Sequence, residues 1–369
     1  MAIIFYLLAL LFVTPAGIYF YFFFRRFLTL FKIEQKTKKS RMIASLLAVM
    51  VAAAGIRMFD FSFIIMLHFL LACLGMEVVN LILKRVPRES FQRVWVFLYK
   101  SGIICLVIAV TALTYGYFNM RNVQRTEYDV STTKSIGQEL KIVQVSDLHT
   151  GTSLDEEGTA ACFERIKKEK ADILILTGDI FDETTTQEEM EKTVDMLSEI
   201  ETAYGTYYIF GNHDANLYTN RPAYTAAQLK KTLQAAGIKV MEDDIVKVID
   251  GLVMIGRQDA SVDGRASIEA LAAKAGTGNF LLLLDHQPVD LADNARAGID
   301  LELSGHTHGG QIWPMGILSK LTGVNEEYYG IHQIGDFQVI VSSGMAGWGY
   351  PVRTEGSSEY VVVNIRPSA

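Results

Sequence analysis

The chain has 369 residues, half of them hydrophobic and 20% charged, with a mean hydropathy of +0.22. That length suits two units better than one, and that balance excludes a disordered chain and fits an ordinary cytosolic enzyme poorly. The net charge of −7 is unevenly spread: residues 1–125 hold fifteen Lys and Arg against Glu34, Asp60, Glu77 and Glu89, or +11, which leaves −18 on the remainder. A domain so acidic repels a phosphate backbone, so a nucleic-acid partner is not expected. Cys73, Cys105 and Cys162 are too few for a disulfide framework or a Cys-rich zinc site, so any metal must use nitrogen and oxygen ligands.

Residues 3–24 carry no charge and reach the roughly 20-residue length of a membrane-spanning helix. They lack the basic leader of a cleavable signal peptide. Three further apolar runs, 42–59, 61–83 and 95–117, complete an expected all-α region of about four spans within residues 1–120. Basic residues cluster at Arg25–Arg41 and again at Lys84–Arg93. Both clusters favour the cytoplasmic side, which places two crossings between them and sends the C-terminal unit to the opposite, extracytoplasmic face. The expected setting is an integral protein of a bacterial plasma membrane. His68, Glu77 and Asn80 fall inside the third span, where interfacial or helix-packing roles are the simpler reading.

After a linker and first strand over 121–138, the pattern over 139–369 changes to short β-branched runs alternating with amphipathic stretches, the mark of a layered α/β domain. Residues 140–145, 172–176, 206–210, 279–284 and 299–303 read as buried strands, with helices near 156–169, 187–203 and 223–236. The informative residues follow the strands: Ser146-Asp147-Leu148-His149, Thr177-Gly178-Asp179, Gly211-Asn212-His213-Asp214, Asp285-His286 and Ser304-Gly305-His306-Thr307-His308. Open α/β sheets place their sites beyond the carboxyl ends of strands, so these five clusters can converge on one crevice. Asp147 with His149, and His306 with His308, are two apart; extended residues at that spacing point the same way, so each pair is expected to face one metal centre. Carboxylate, amide oxygen and imidazole without thiolate suit Mn first, then Fe or Zn. Seven candidate ligands exceed one tetrahedral site and are naturally used by two divalent ions sharing a carboxylate, an arrangement that suits displacement at phosphorus.

In this order, SDLHTG, GD with a further Asp182, GNHD, DHQP and SGHTHGGQ resemble the calcineurin-like metallophosphoesterase superfamily, and in particular its membrane-associated branch, which includes UDP-2,3-diacylglucosamine pyrophosphatases and cell-envelope phosphoesterases. The resemblance implies an αββα sandwich of two sheets flanked by helices. It implies that Asp147, His149 and His308 hold one metal, that Asn212, His286 and His306 hold the other, and that Asp179 bridges them. It further implies a hydroxide between the metals as nucleophile and His213 as the acid that protonates the leaving oxygen, oriented by Asp214.

The expected function is therefore hydrolysis of a phosphate ester or pyrophosphate bond in a phosphorylated, lipid-linked or cell-envelope molecule. Trp313 and Trp348 lie in apolar segments after the last ligand and could meet a lipid chain or simply pack a loop, and Arg353 is the nearest base that could contact a substrate phosphate. Two alternatives stand beside this reading: a cytosol-facing pyrophosphatase acting on a UDP-linked lipid, and a metal-binding membrane scaffold without turnover. Where the related branch often carries Pro-Glu near its C-terminus, this chain has Ser358-Glu359, which bears on substrate rather than on the metals. The oligomeric state is not readable from the sequence.

Overall fold

The computed structural model describes residues 2–57, 60–276 and 278–367, and of residues 2–10 the backbone alone. Residues 58 and 59 of the expected second span, and the side chains of 3–10 in the first, lie outside the described residues. The chain divides into two compact units, Met1–Tyr115 and Gly116–Ala369.

The first unit is helical: Ala2–Phe27, Lys38–Ala54, Phe61–Leu83, Glu89–Ser101 and the beginning of Ile103–Arg121. Among the described residues, Phe61–Leu83 and Ile103–Arg121 are long and apolar enough to cross a membrane, by length and composition alone. The expected fourth span over 95–117 is not one continuous helix. Gly102 takes a left-handed conformation (φ 70°), where a side chain would also strike the Phe23 ring at 2.6 Å, so the chain breaks there. The preceding Glu89–Ser101 is instead amphipathic, burying Trp95. The polar residues of the third span pack inside the unit: Glu77 accepts from Arg26 Nη1 at 2.7 Å and from Tyr19 Oη at 2.9 Å, and Asn80 Oδ1 accepts from Trp95 Nε1 at 2.9 Å. His68 Nδ1 meets the carbonyl of Ile64 at 2.9 Å on its own helix.

The second unit contains twelve strands among its described residues: β1 Gln124–Thr132, β2 Leu140–Val145, β3 Ile173–Leu176, β4 Thr206–Ile209, β5 Lys239–Met241, β6 Asp244–Ile249, β7 Leu252–Gly256, β8 Phe280–Leu284, β9 Leu301–Ser304, β10 Gly330–Ile334, β11 Phe337–Val341 and β12 Glu359–Pro367. They form two mixed six-stranded sheets, ordered β1-β12-β2-β3-β4-β5 and β10-β11-β9-β8-β7-β6. Strands β2 to β5 run parallel, as do β7, β8, β9 and β11.

Period-two alternation builds the layers. On β3, Ile173 and Ile175 face the second sheet, alongside Ile142, Ile209, Leu282 and Leu303. Leu174 and Leu176 face outward onto Phe163, Ile166, Val194 and Leu229 from three covering helices. The second sheet repeats this: Val253, Ile255, Leu281 and Leu283 pack outward against Ile268, Leu271 and Leu291. Parallel strands covered on both faces read as continuous apolar runs such as FLLLL. The result is the expected sandwich of two sheets between helices, and the five strand-end clusters leave β2, β3, β4, β8 and β9 at their carboxyl ends.

Candidate metal centre

The ends of β2, β3 and β9 turn sharply at the residues carrying the metal-binding groups. Asp147 (φ 50°), His149 (φ 43°), Asp179 (φ 51°), His306 (φ 70°) and His308 (φ 51°) all occupy the left-handed region, which Asp and His tolerate better than most residues and which functional sites often retain. The backbone is therefore not extended here, and the expected same-side facing of residues two apart holds only in part. Asp147 and His149 do meet, but their third partner is His308, while His306 joins Asp179 and His286. Within each of these two groups the candidate ligand atoms lie within 4.8 Å of one another. The left-handed turns send His306 and His308 to different centres.

The two groups are neighbours. Asp179 Oδ2 lies 3.1 Å from His286 Nε2 in one group and 3.9 Å from His149 Nε2 in the other, and the backbone N–H of His306 donates to Asp147 at 3.0 Å. Asp147, His149, Asp179 and His286 are buried almost completely. Ring orientation is set behind the ligand atoms. His286 Nδ1 donates to the carbonyl of Thr177 at 2.8 Å, which directs Nε2 inward. His149 Nδ1 lies 3.2 Å from Asp182 Oδ2.

The donor set fits a pair of divalent cations. His149 Nε2, His286 Nε2, His308 Nδ1 and the Asn212 amide oxygen are buried without a hydrogen-bond partner, a costly condition for polar atoms unless something else binds them. Burial, with His286 acting in the same direction, pushes His306 down to about 4, and burial with the adjacent His149 takes His308 well below the usual range, so both stay neutral, the form that binds metal. Burial opposes charge on Asp179, yet His286 and His149 hold it below the ordinary carboxylate range. Two glycines let the backbone come this close. A methyl group on Gly211 would lie 2.2 Å from Asp179 Oδ1, and one on Gly305 would lie 2.3 Å from Asp147 Oδ2. Gly211→Ala is therefore expected to displace Asp179, lower Mn affinity at least ~10-fold and cost roughly 1–3 kcal/mol of stability. Titration calorimetry with Mn and thermal unfolding measure the two effects, and unchanged Mn affinity would remove Asp179 from the ligand set.

The model of the calcineurin-like phosphoesterase family matches residues 140–310, a span that begins at β2 and ends just past His308. Over these residues the chain is similar to calcineurin-like phosphoesterases. It is 29% identical over 271 residues to an uncharacterized metallophosphoesterase of Aquifex aeolicus, covering 71% of this chain and 98% of that one. It is 28% identical over 242 residues to an uncharacterized metallophosphoesterase of Helicobacter pylori, covering 63% of this chain but only 61% of the relative. A zebrafish (Danio rerio) relative named transmembrane protein with metallophosphoesterase domain is 24% identical over 318 residues, 80% of this chain and 70% of its own.

Within the second unit, three expected residues take other places. Asp214 does not orient the His213 ring. Its carboxylate is engaged by the backbone N–H groups of Asp179 (2.7 Å), Phe181 (2.9 Å) and Gly211 (2.7 Å), tying two ligand loops together. The carboxylate at His213 Nδ1 belongs to Glu183, 2.9 Å away. Arg353 is fully buried and donates to the carbonyls of His308 (2.6 Å), Ser343 (2.9 Å) and Ala346 (2.5 Å); burial lowers it to about 10. A guanidinium held by three main-chain oxygens shapes the ligand loop and is not a substrate contact. Trp348 does reach the site, its ring 5.2 Å from that of His213, whereas Trp313 is 46% exposed at the start of helix Met315–Thr322. Tyr218 is an unforeseen neighbour: its ring lies 5.0 Å from His213 and its hydroxyl accepts from Asn212 at 3.3 Å. The acidic Glu183 and aromatic Tyr218 lie in loops near motif residues, but neither belongs to a recognisable spacing.

Proposed function

We propose that the chain is a membrane-anchored phosphoesterase in which Asp147, His149 and His308 hold one divalent ion, Asn212, His286 and His306 hold a second, and Asp179 serves both. The observation that carries this reading is the single Asp179 carboxylate oxygen lying 3.1 Å from one group's imidazole and 3.9 Å from the other's. Bound divalent ions supply positive charge against phosphoryl oxygens and lower the pKa of water towards neutrality. Mn is the first candidate for this oxygen- and imidazole-rich set, with Fe or Zn next.

The remaining chemistry belongs to side chains. His213 is the proton donor to the leaving oxygen. Glu183 accepts from Nδ1, which fixes the tautomer and ring plane and leaves Nε2 as the atom that exchanges the proton. The rings of Trp348 and Tyr218 flank the imidazole and limit water around it. The buried carboxylates near the metals account for an acidic domain that binds a phosphorylated substrate: bound cations offset them.

The substrate class is a lipid-linked or cell-envelope phosphate ester, and the catalytic unit faces away from the cytoplasm behind four spans. Support comes from the two basic clusters on either side of the second and third spans, and from the relative named as a transmembrane protein. A reporter fused after Ala369 that is active only outside the cytoplasm tests the sidedness; an active cytoplasmic reporter would favour the UDP-linked pyrophosphatase reading. For the activity itself, the purified full chain with Mn is expected to hydrolyse a chromogenic phosphodiester, and to stop when a chelator strips the metal. Metal binding without any turnover would leave the scaffold reading.

A further inference from the structure

Helix Met315–Thr322 is amphipathic, with Ser319, Lys320 and Thr322 beside Met315, Ile317, Leu318 and Leu321, and yet its apolar residues lie on the surface. Its one buried residue is Gly316, while Met315, Ile317, Leu318 and Leu321 are exposed, Leu321 at 77%, with Trp313 before it and Val324 after it exposed as well. An amphipathic helix normally buries its apolar residues, and a contiguous exposed apolar patch marks a contact surface.

Local contacts fix where this patch lies. On one side it is joined to the metal rim: a methyl on Gly310 would come within 2.6 Å of Gly316 N, and the same N–H donates to Glu355 at 2.9 Å, so the helix is held against the loop that starts at His308. On the other side, Thr354 Oγ1 accepts from the Trp313 N–H at 3.0 Å, and the Thr354 methyl would lie 2.7 Å from a Cβ on Gly116. The Gly116 carbonyl accepts from Arg353 N at 2.9 Å, and Asn119 Nδ2 donates to the carbonyls of Arg353 (3.1 Å) and Gly356 (2.8 Å). Residues 116–121 are the end of Ile103–Arg121, one of the two helices long and apolar enough to cross a membrane. That end carries the boundary signature of a span: Tyr117 and Phe118 are exposed and the Arg121 guanidinium lies over the Tyr117 ring at 3.6 Å.

We infer that Trp313–Val324 is a membrane-contact surface that lies in the lipid–water interface beside the point where helix Ile103–Arg121 leaves the bilayer, holding the His308 rim at headgroup level. The occupant is the lipid bilayer, because the patch is continuous, through Thr354, with the end of a membrane helix. Lys320, in the last turn of this helix, offers an ammonium to lipid phosphate. This inference rests on the membrane-anchored reading and deepens it: the substrate ester is presented at the surface of the bilayer and need not leave it.

The test uses the full chain reconstituted in phosphatidylcholine vesicles with plain or brominated acyl chains. The emission lost in Trp313→Phe isolates the Trp313 signal, which is expected to be quenched severalfold by brominated chains. A Trp313 signal equal in both vesicles overturns the proposal, as does cross-linking of this face to a second copy or to a protein partner. A second arm substitutes Leu318→Gln together with Leu321→Gln. Turnover of a phosphorylated lipid embedded in the vesicles is expected to fall ~10-fold, while turnover of a soluble chromogenic diester stays unchanged; equal retention of both overturns the proposal. The quenching arm needs no catalysis, so failure of the phosphoesterase reading and failure of the docking surface remain distinguishable.

Discussion

Asp179→Asn is expected to lose metal and turnover together. The substitution keeps the size and one amide oxygen, so the hydrogen bond from His213 N to Oδ1 (2.8 Å) can persist, but it removes the charge that lies between the two imidazole groups. Oδ2 is the atom within 3.1 Å of His286 and 3.9 Å of His149, and a neutral amide presents a single oxygen where a carboxylate presents two. Loss of a shared anionic ligand removes several kcal/mol of charge stabilisation, a rate loss on the order of 10³-fold. Elemental analysis of the purified variant should show less than the wild-type metal content, with thermal unfolding confirming that the domain is folded. A variant that keeps full metal and full activity would sink the shared-carboxylate arrangement and with it the dinuclear assignment.

His213→Ala should separate metal from chemistry. The imidazole is not in either ligand group, so metal content stays at the wild-type level, while hydrolysis of an ester with a poor, alkyl-type leaving group falls roughly 10²–10⁴-fold, the usual contribution of a positioned general acid. A p-nitrophenyl ester, whose leaving oxygen needs no proton, should lose far less. Glu183→Gln, which weakens the hold on Nδ1, should show the same dependence on leaving group with a smaller loss, on the order of 10-fold. Asp214→Asn acts differently, because its carboxylate gathers three backbone N–H groups; metal binding and stability should suffer for good and poor leaving groups alike. If Glu183→Gln lowered turnover of both ester types equally, its carboxylate would be structural and the proton route would need another residue.

The legibility of this chain in sequence differs by feature for identifiable reasons. Apolar runs such as ILIL and FLLLL announce strands buried on both faces, because each side chain has a layer to meet whichever way it points. Edge strands do not: β6 and β10 are half-exposed along their length, so their composition resembles loop. The expected fourth span ran through an apolar stretch that hydropathy cannot divide, and only the left-handed Gly102 separates an amphipathic helix from the candidate membrane helix after it. In the structure His149 groups with His308 and His286 with His306, whereas spacing alone placed His306 and His308 together.

By itself the sequence determined the chemistry on offer: acids, imidazoles and an amide oxygen at the carboxyl ends of five strands, without thiolate, in an acidic domain behind an apolar, basic-looped front. Those are properties of residue type and of position along a strand, and they survive any arrangement of the loops. Tertiary structure alone decided direction and partnership. Left-handed turns at Asp147, His149, Asp179, His306 and His308 aim the side chains, and burial recruits Arg353 to three carbonyls from two separate segments. The Asp214 carboxylate goes to backbone N–H groups while Glu183 arrives at His213. Such pairings depend on distances between residues remote in the chain, and a buried polar atom takes whichever complementary partner the packed layers bring within reach.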